Sequence, residues 1–172
     1  MKVWLEDKDG NKINLEYKTS LSAGFDIPCI IPAGMLGLMK AHGVYKIPTG
    51  LYLKYEGKMP EGEVLSLLIL PRSSSGVKGI RVANSPGLID LDYKDEICLL
   101  LENVHPTKSC IPLKTGDCVT QGVFMKVFRP DSIVVNNTIR QGGFGSTTVK
   151  AEGGCGGKPK PKPKPKPKPK KK

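Results

Sequence analysis

The chain has 172 residues, enough for one compact domain and a tail, and carries a net charge of +11. Nine of its 27 basic residues are lysines between Lys158 and Lys172, where no acid lies; without them the net charge is +2. The charge of the folded part therefore gives no argument for a nucleic-acid-binding domain, and no apolar run reaches the roughly 18 residues of a transmembrane helix.

Short apolar stretches broken by Gly, Pro, Asn and Asp run along the chain. Val3–Leu5 and Ile13–Leu15 flank Asp9-Gly10, a hairpin signal. Val44–Ile47 and Leu51–Tyr55 flank Pro48-Thr49-Gly50 in the same manner. Val64–Leu70 is a continuous apolar run, suited to a strand buried on both faces, and Ile97–Leu101 and Val119–Val127 resemble it. Ile133–Val135 is rich in β-branched residues. A long 3.6-residue period is absent, and only a helical turn or two is expected, around Ser74–Lys78. Many short strands at close spacing predict an all-β sandwich or jelly-roll.

The domain is expected over 1–151, with a flap at about 138–150 and a tail over 152–172. From Lys158 to Lys170 the tail alternates Lys with Pro, so it is expected to be extended and disordered, with Gly153–Gly157 as its hinge. A solvated tail is the plain reading; a salt-sensitive tether to nucleic acid or another polyanion is the functional one. Met1–Asp9 carries charges where a signal peptide would have an apolar core. Cys29, Cys98, Cys110, Cys118 and Cys155 form no CxxC pair and only two histidines are present, which argues against structural zinc. The odd count reads as reduced thiols of a soluble cytoplasmic protein, mostly acting as small core hydrophobes.

Five polar, Gly-rich segments interrupt the strands. Ala23-Gly24-Phe25-Asp26 is either a turn into a strand or the carrier of a carboxylate for the water shell of Mg²⁺. Pro71-Arg72-Ser73-Ser74-Ser75-Gly76 combines a guanidinium with hydroxyls, a good anion cradle; otherwise it is a Ser-rich helix cap. In Asn84–Tyr93, Pro86 and Gly87 permit a tight hairpin whose backbone could face a ligand. Asp90 and Asp92 would share one face if that stretch stayed extended, with Tyr93 opposite unless a turn intervenes. Gly116–Gln121 taken alone is better explained by a simple hairpin, and Gln121 is its only polar candidate for a phosphate or water. Arg140–Thr147 sets Phe144 among Gly142, Gly143 and Gly145, a poor design for packing and a good one for a flap.

In this order, AGFD, PRSSSG, NSPGLIDLDY, GDCVTQ and RQGGFGST resemble the five motifs of the trimeric dUTPase family, over most of the chain from Ala23 to Thr147. The resemblance implies a jelly-roll (β-clip) homotrimer that hydrolyses dUTP to dUMP and pyrophosphate, each active site drawing on three subunits. Asn84, Gly87 and Ile89 would belong to the segment that reads uracil. Tyr93 would pack under the deoxyribose. Asp90 would bind the 3′-hydroxyl and hold the attacking water. Arg72, Ser73, Ser74, Gly76 and Gln121 would bind phosphates, and Asp26 would contact Mg²⁺ through water. Arg140, Phe144, Gly145, Ser146 and Thr147 would close over base and γ-phosphate.

The chain departs from that pattern in three places. Cys118 stands where the family usually has a basic residue, Lys94-Asp95 where it commonly has Arg-Gly, and Thr148 where glycine is frequent. Two other readings compete. A dCTP deaminase of the same fold would need a glutamate base in the segment that reads the base, and none stands between Asn84 and Ile89. A binding or regulatory protein of this fold, tethered by its basic tail, would need no catalysis at all.

Overall fold

The computed structural model describes residues 1–33 and 37–133. Strands dominate in chain order: β1 (Lys2–Glu6), β2 (Lys12–Ile13), β3 (Phe25–Pro28), β4 (Leu38–Lys40), β5 (Val44–Pro48), β6 (Tyr52–Glu56) and β7 (Glu63–Pro71). A single turn and a half of helix, α1 (Ser73–Val77), precedes β8 (Ile80–Val82), β9 (Gly87–Asp90), β10 (Cys98–Asn103), β11 (Cys110–Pro112) and β12 (Cys118–Phe128). Among the described residues no helix is long and apolar enough to cross a membrane.

The strands form four small antiparallel sheets, ordered β2-β1-β6, β5-β10-β8, β11-β4 and β3-β12-β7-β9. Their alternating residues explain the layering. In β3, Phe25 and Ile27 point into the core while Asp26 and Pro28 are half-exposed. In β10, Leu99, Leu101 and Asn103 go inward. Ile27, Leu67, Ile97, Leu99 and Leu101 are essentially inaccessible, and each contributes about 1.5–3 kcal/mol by leaving water.

Three connections differ from the expected hairpins. β5 pairs with β10 and β6 with β1, so Pro48-Thr49-Gly50 is a corner between sheets. Likewise β8 pairs with β10 and β9 with β7, so Ala83–Pro86 is a corner, with a cis peptide at Ser85–Pro86. The turn at Lys114–Asp117 leads from β11, paired with β4, to β12, paired with β3 and β7. Each strand leaves for another sheet because its buried face needs a partner across the core, which turn chemistry does not encode. Among the described residues, Asp9-Gly10 alone of these turns closes a true hairpin, with Leu5 opposite Ile13.

The run at 64–70 forms the middle of the largest sheet, yet Leu65, Leu68 and Leu70 remain half-exposed in a single chain rather than covered on both faces. The far end of β12 is open as well, with Met125 and Phe128 exposed. Among the described cysteines all four are free thiols, but only Cys29 is buried; Cys98 and Cys118 are half-buried and Cys110 is exposed. The expectation that most fill the core therefore fails.

Candidate active site

β3 and β12 lie side by side with Asp26 opposite Gln121, and β12 and β7 with Gln121 opposite Leu70. This register delivers three of the predicted segments to one end of the sheet. Arg72, just beyond β7, turns its Nε to Asp26 Oδ1 at 3.1 Å and donates through Nη1 to the Cys118 carbonyl at 2.9 Å. Gln121 donates through Nε2 to the Pro71 carbonyl at 3.1 Å. A Cβ at position 24 would stand 2.8 Å from Gln121 Oε1, so the glycine there gives the amide its space.

The serines divide by role. Ser75 is buried and donates to the Val119 carbonyl at 2.6 Å, which fastens α1 to β12. Ser73 and Ser74 are exposed, and no side chain caps α1, so the helix-cap alternative is not what these hydroxyls do. A Cβ at Gly76 would meet nothing within 4 Å, so the chain's own packing does not require a glycine there. Asp26, Arg72 and Gln121 are thus brought together at this sheet end, with Ser73, Ser74 and Gly76 exposed in the short helix that follows Arg72.

A second cluster lies on the opposite edge of the same sheet. Gly87 opposes Ile69, Ile89 opposes Leu67, and Asp90 opposes Ser66. Gly87 is buried, and a Cβ there would sit 3.4 Å from Ile69 Cβ. Asn84 is exposed at the corner before it. The strand ends at Asp90, and the Tyr93 amide donates to the Asp90 carbonyl at 3.1 Å. Asp92 therefore sits in a turn, and the shared face expected for the two carboxylates does not form. The turn also sends Tyr93 inward, 7% exposed, with its hydroxyl donating to the Glu96 carbonyl at 3.3 Å. Glu96 Oε1 in turn accepts from the Gly50 amide at 2.7 Å, a support that the sequence did not reveal.

Asp26 and Asp90 are three strand spacings apart across the sheet and four residues apart along it, about 20 Å in all. One chain therefore holds two clusters that do not meet. Arg140, Phe144, Gly145, Ser146 and Thr147 lie outside the described residues.

A second cation, Lys18, adds to the electrostatics of the first cluster: its Nζ is 3.6 Å from Asp26 Oδ2. Beside this group, burial and then the Asp26 carboxylate push the Cys118 thiol above its ordinary value, so it stays protonated and brings no charge. Among the described residues no group of three or more His, Cys, Asp or Glu could hold a metal ion. The lone carboxylate Asp26, its side chain 17% exposed, fits a hydrated cation carried by a phosphate ligand rather than a metal caged by protein.

A family model described as dUTPase matches residues 11–148. The chain is 34% identical over 154 residues to the deoxyuridine 5'-triphosphate nucleotidohydrolase of Treponema denticola, spanning 87% of this chain and 99% of that one. It is 39% identical over 140 residues to the protein of that name from Rickettsia peacockii, spanning 78% and 87%. The fold is similar to the crystal structure of dUTPase from Streptococcus mutans, with a TM-score of 0.53 and 31% identity over 68% of this chain and 88% of that one. The matched span holds all five polar segments in order, and the chain belongs to the dUTPase family.

Proposed function

We propose that the protein carries out its family's reaction, hydrolysis of dUTP to dUMP and pyrophosphate, in a homotrimer whose sites join the first cluster of one chain to the second cluster of another. The observation that carries this reading is the group at the sheet end, where Arg72 is bound to Asp26, Gln121 stands opposite Asp26, and the exposed Ser73 and Ser74 follow Arg72 directly. The separation of about 20 Å between the clusters supports a shared site. So do Met125, Phe128 and Ile133, apolar residues left open in a single chain.

A triphosphate repels an anionic nucleophile, so its charge must be offset before water can attack. Arg72 and the hydroxyls of Ser73 and Ser74 supply donors to phosphate oxygens, Gly76 leaves room for their approach, and Gln121 adds an amide. Asp26 would touch the water shell of Mg²⁺, which supplies further charge neutralisation and alignment of the phosphates. Asp90 orients the water and accepts its proton as attack proceeds at the α-phosphorus with pyrophosphate leaving. Asn84, Gly87 and Ile89 belong to the segment that reads the uracil edge, and Tyr93 packs under the sugar where a 2′-hydroxyl would clash. Arg140, Phe144, Gly145, Ser146 and Thr147 are assigned to covering base and γ-phosphate, on the motif alone.

No observation favours the deaminase. The nearest glutamate after the segment that reads the base, Glu96, is committed to the Gly50 amide. The test is release of pyrophosphate from dUTP with Mg²⁺, run beside dCTP, dTTP and UTP. Selective consumption of dUTP is expected, and intact dUTP overturns the reading.

The domain is assigned to 1–151 and the tail to 152–172. Nine lysines without an acid suit the tail to a polyanion. Removing 158–172 should lower retention on DNA at low salt and change nothing at high salt; unchanged retention at low salt leaves the tail without that role. Cytoplasmic residence rests on the free thiols of the described cysteines.

A further inference from the structure

Asp26 carries two cations, not one: Arg72 Nε at Oδ1 and Lys18 Nζ at Oδ2, 3.1 and 3.6 Å away. Lys18 comes from the stretch between β2 and β3, outside every segment whose composition suggested chemistry. Its backbone is nevertheless fastened on both sides. Tyr17 forms a bridge with Phe25, and their rings stack edge to face with centroids 5.9 Å apart. On the other side the Thr19 amide donates to Ser22 Oγ at 3.1 Å and the Ser22 amide to the Thr19 carbonyl at 3.1 Å, closing a turn. The lysine is thus held at the edge of the cluster, while its side chain stays 68% exposed and within reach of a ligand.

Among the described residues, the ion pairs at this cluster set the one carboxylate of Asp26 against a guanidinium and an ammonium, and the protonated Cys118 nearby on β12 adds no charge. Arg72 already spends Nε on Asp26 and Nη1 on a carbonyl. Lys18, by contrast, shows one long ion pair among the described residues, and an exposed pair of that kind contributes little and breaks readily. We propose that Lys18 is a substrate-binding residue, a second cation that lets go of Asp26 and takes a phosphate oxygen when the triphosphate arrives. The exchange has a further consequence: it would leave Asp26 Oδ2 free to contact the water shell of a Mg²⁺ held by the phosphates. A lysine suits this role because its ammonium is a mobile point charge on a flexible stem, whereas Arg72 is fixed by its planar fork.

This inference rests on reading the Arg72 cluster as the phosphate site, and the experiment separates the two. Steady-state kinetics on dUTP with Mg²⁺ are compared for the wild type, Lys18→Ala, Lys18→Arg and Arg72→Ala. Lys18→Ala is expected to raise KM about three- to tenfold at low salt, with kcat and Tm held, and the increase should shrink at high salt where the charge is screened. Lys18→Arg should restore KM. An unchanged KM for Lys18→Ala at low salt overturns the proposal. If Arg72→Ala is then severely impaired, only the role of Lys18 falls; if Arg72→Ala is also unimpaired, the phosphate assignment falls with it.

Discussion

Asp26 and Arg72 meet because β12 sets Gln121 opposite Asp26 and delivers Val119 to the backbone of Arg72. The sequence made the types legible: a carboxylate, a guanidinium and an amide in Gly-rich segments are poor choices for a core and good ones for a ligand. It did not make Lys18 legible, since a lysine in a polar stretch carries no mark until Asp26 Oδ2 is found beside it. Two predictions belong at this scale. Asp90→Asn should lower kcat about 10²–10⁴-fold while nucleotide affinity, measured by calorimetry with a non-hydrolysable analogue, stays within about threefold. Full turnover in that variant would remove Asp90 from the water. Gly24→Ala should push the Gln121 amide off the Pro71 carbonyl and raise KM without unfolding the domain. An unchanged KM would mean that Gln121 yields without consequence.

At the scale of elements, the period of two in β3 and β10 announced strands, and the short helix at Ser73–Val77 was anticipated to within a residue. Which sheet each strand joins was not legible. Pro48-Thr49-Gly50, Pro86-Gly87 and Gly116-Asp117 carry hairpin chemistry but turn corners, because partner choice is set by packing across the core. A buried polar group ties the end of β10 to β4 of another sheet. Asn103, fully inaccessible, donates through Nδ2 to the Met39 and Lys108 carbonyls at 3.0 and 3.2 Å, and its Oδ1 accepts from the His105 amide at 3.0 Å. Asn103→Leu should cost about 1–3 kcal/mol for each group left bare, read as a lower urea midpoint. An unchanged midpoint would show that the network is dispensable.

For the molecule as a whole, alkaline pH tests the packing. Burial foremost, then the nearby Asp117 carboxylate, raises the Cys29 thiol above its ordinary 9.0. A folded chain that holds this proton more tightly than the unfolded one keeps its full stability below pH 9.0 and loses it as pH rises beyond. Urea midpoints at pH 8 and 10 should fall, and Cys29→Ala should reduce that fall; an equal fall in both proteins would acquit the thiol.

The shared site remains the claim on which the rest depends, since Asp26 and Asp90 sit about 20 Å apart in one chain. Co-expressing Arg72→Ala with Asp90→Asn, each inactive alone, tests it directly. If the two groups come from different chains, mixed oligomers should regain turnover of dUTP at about a quarter of the wild-type sites. A mixture as inactive as its components would contradict the account.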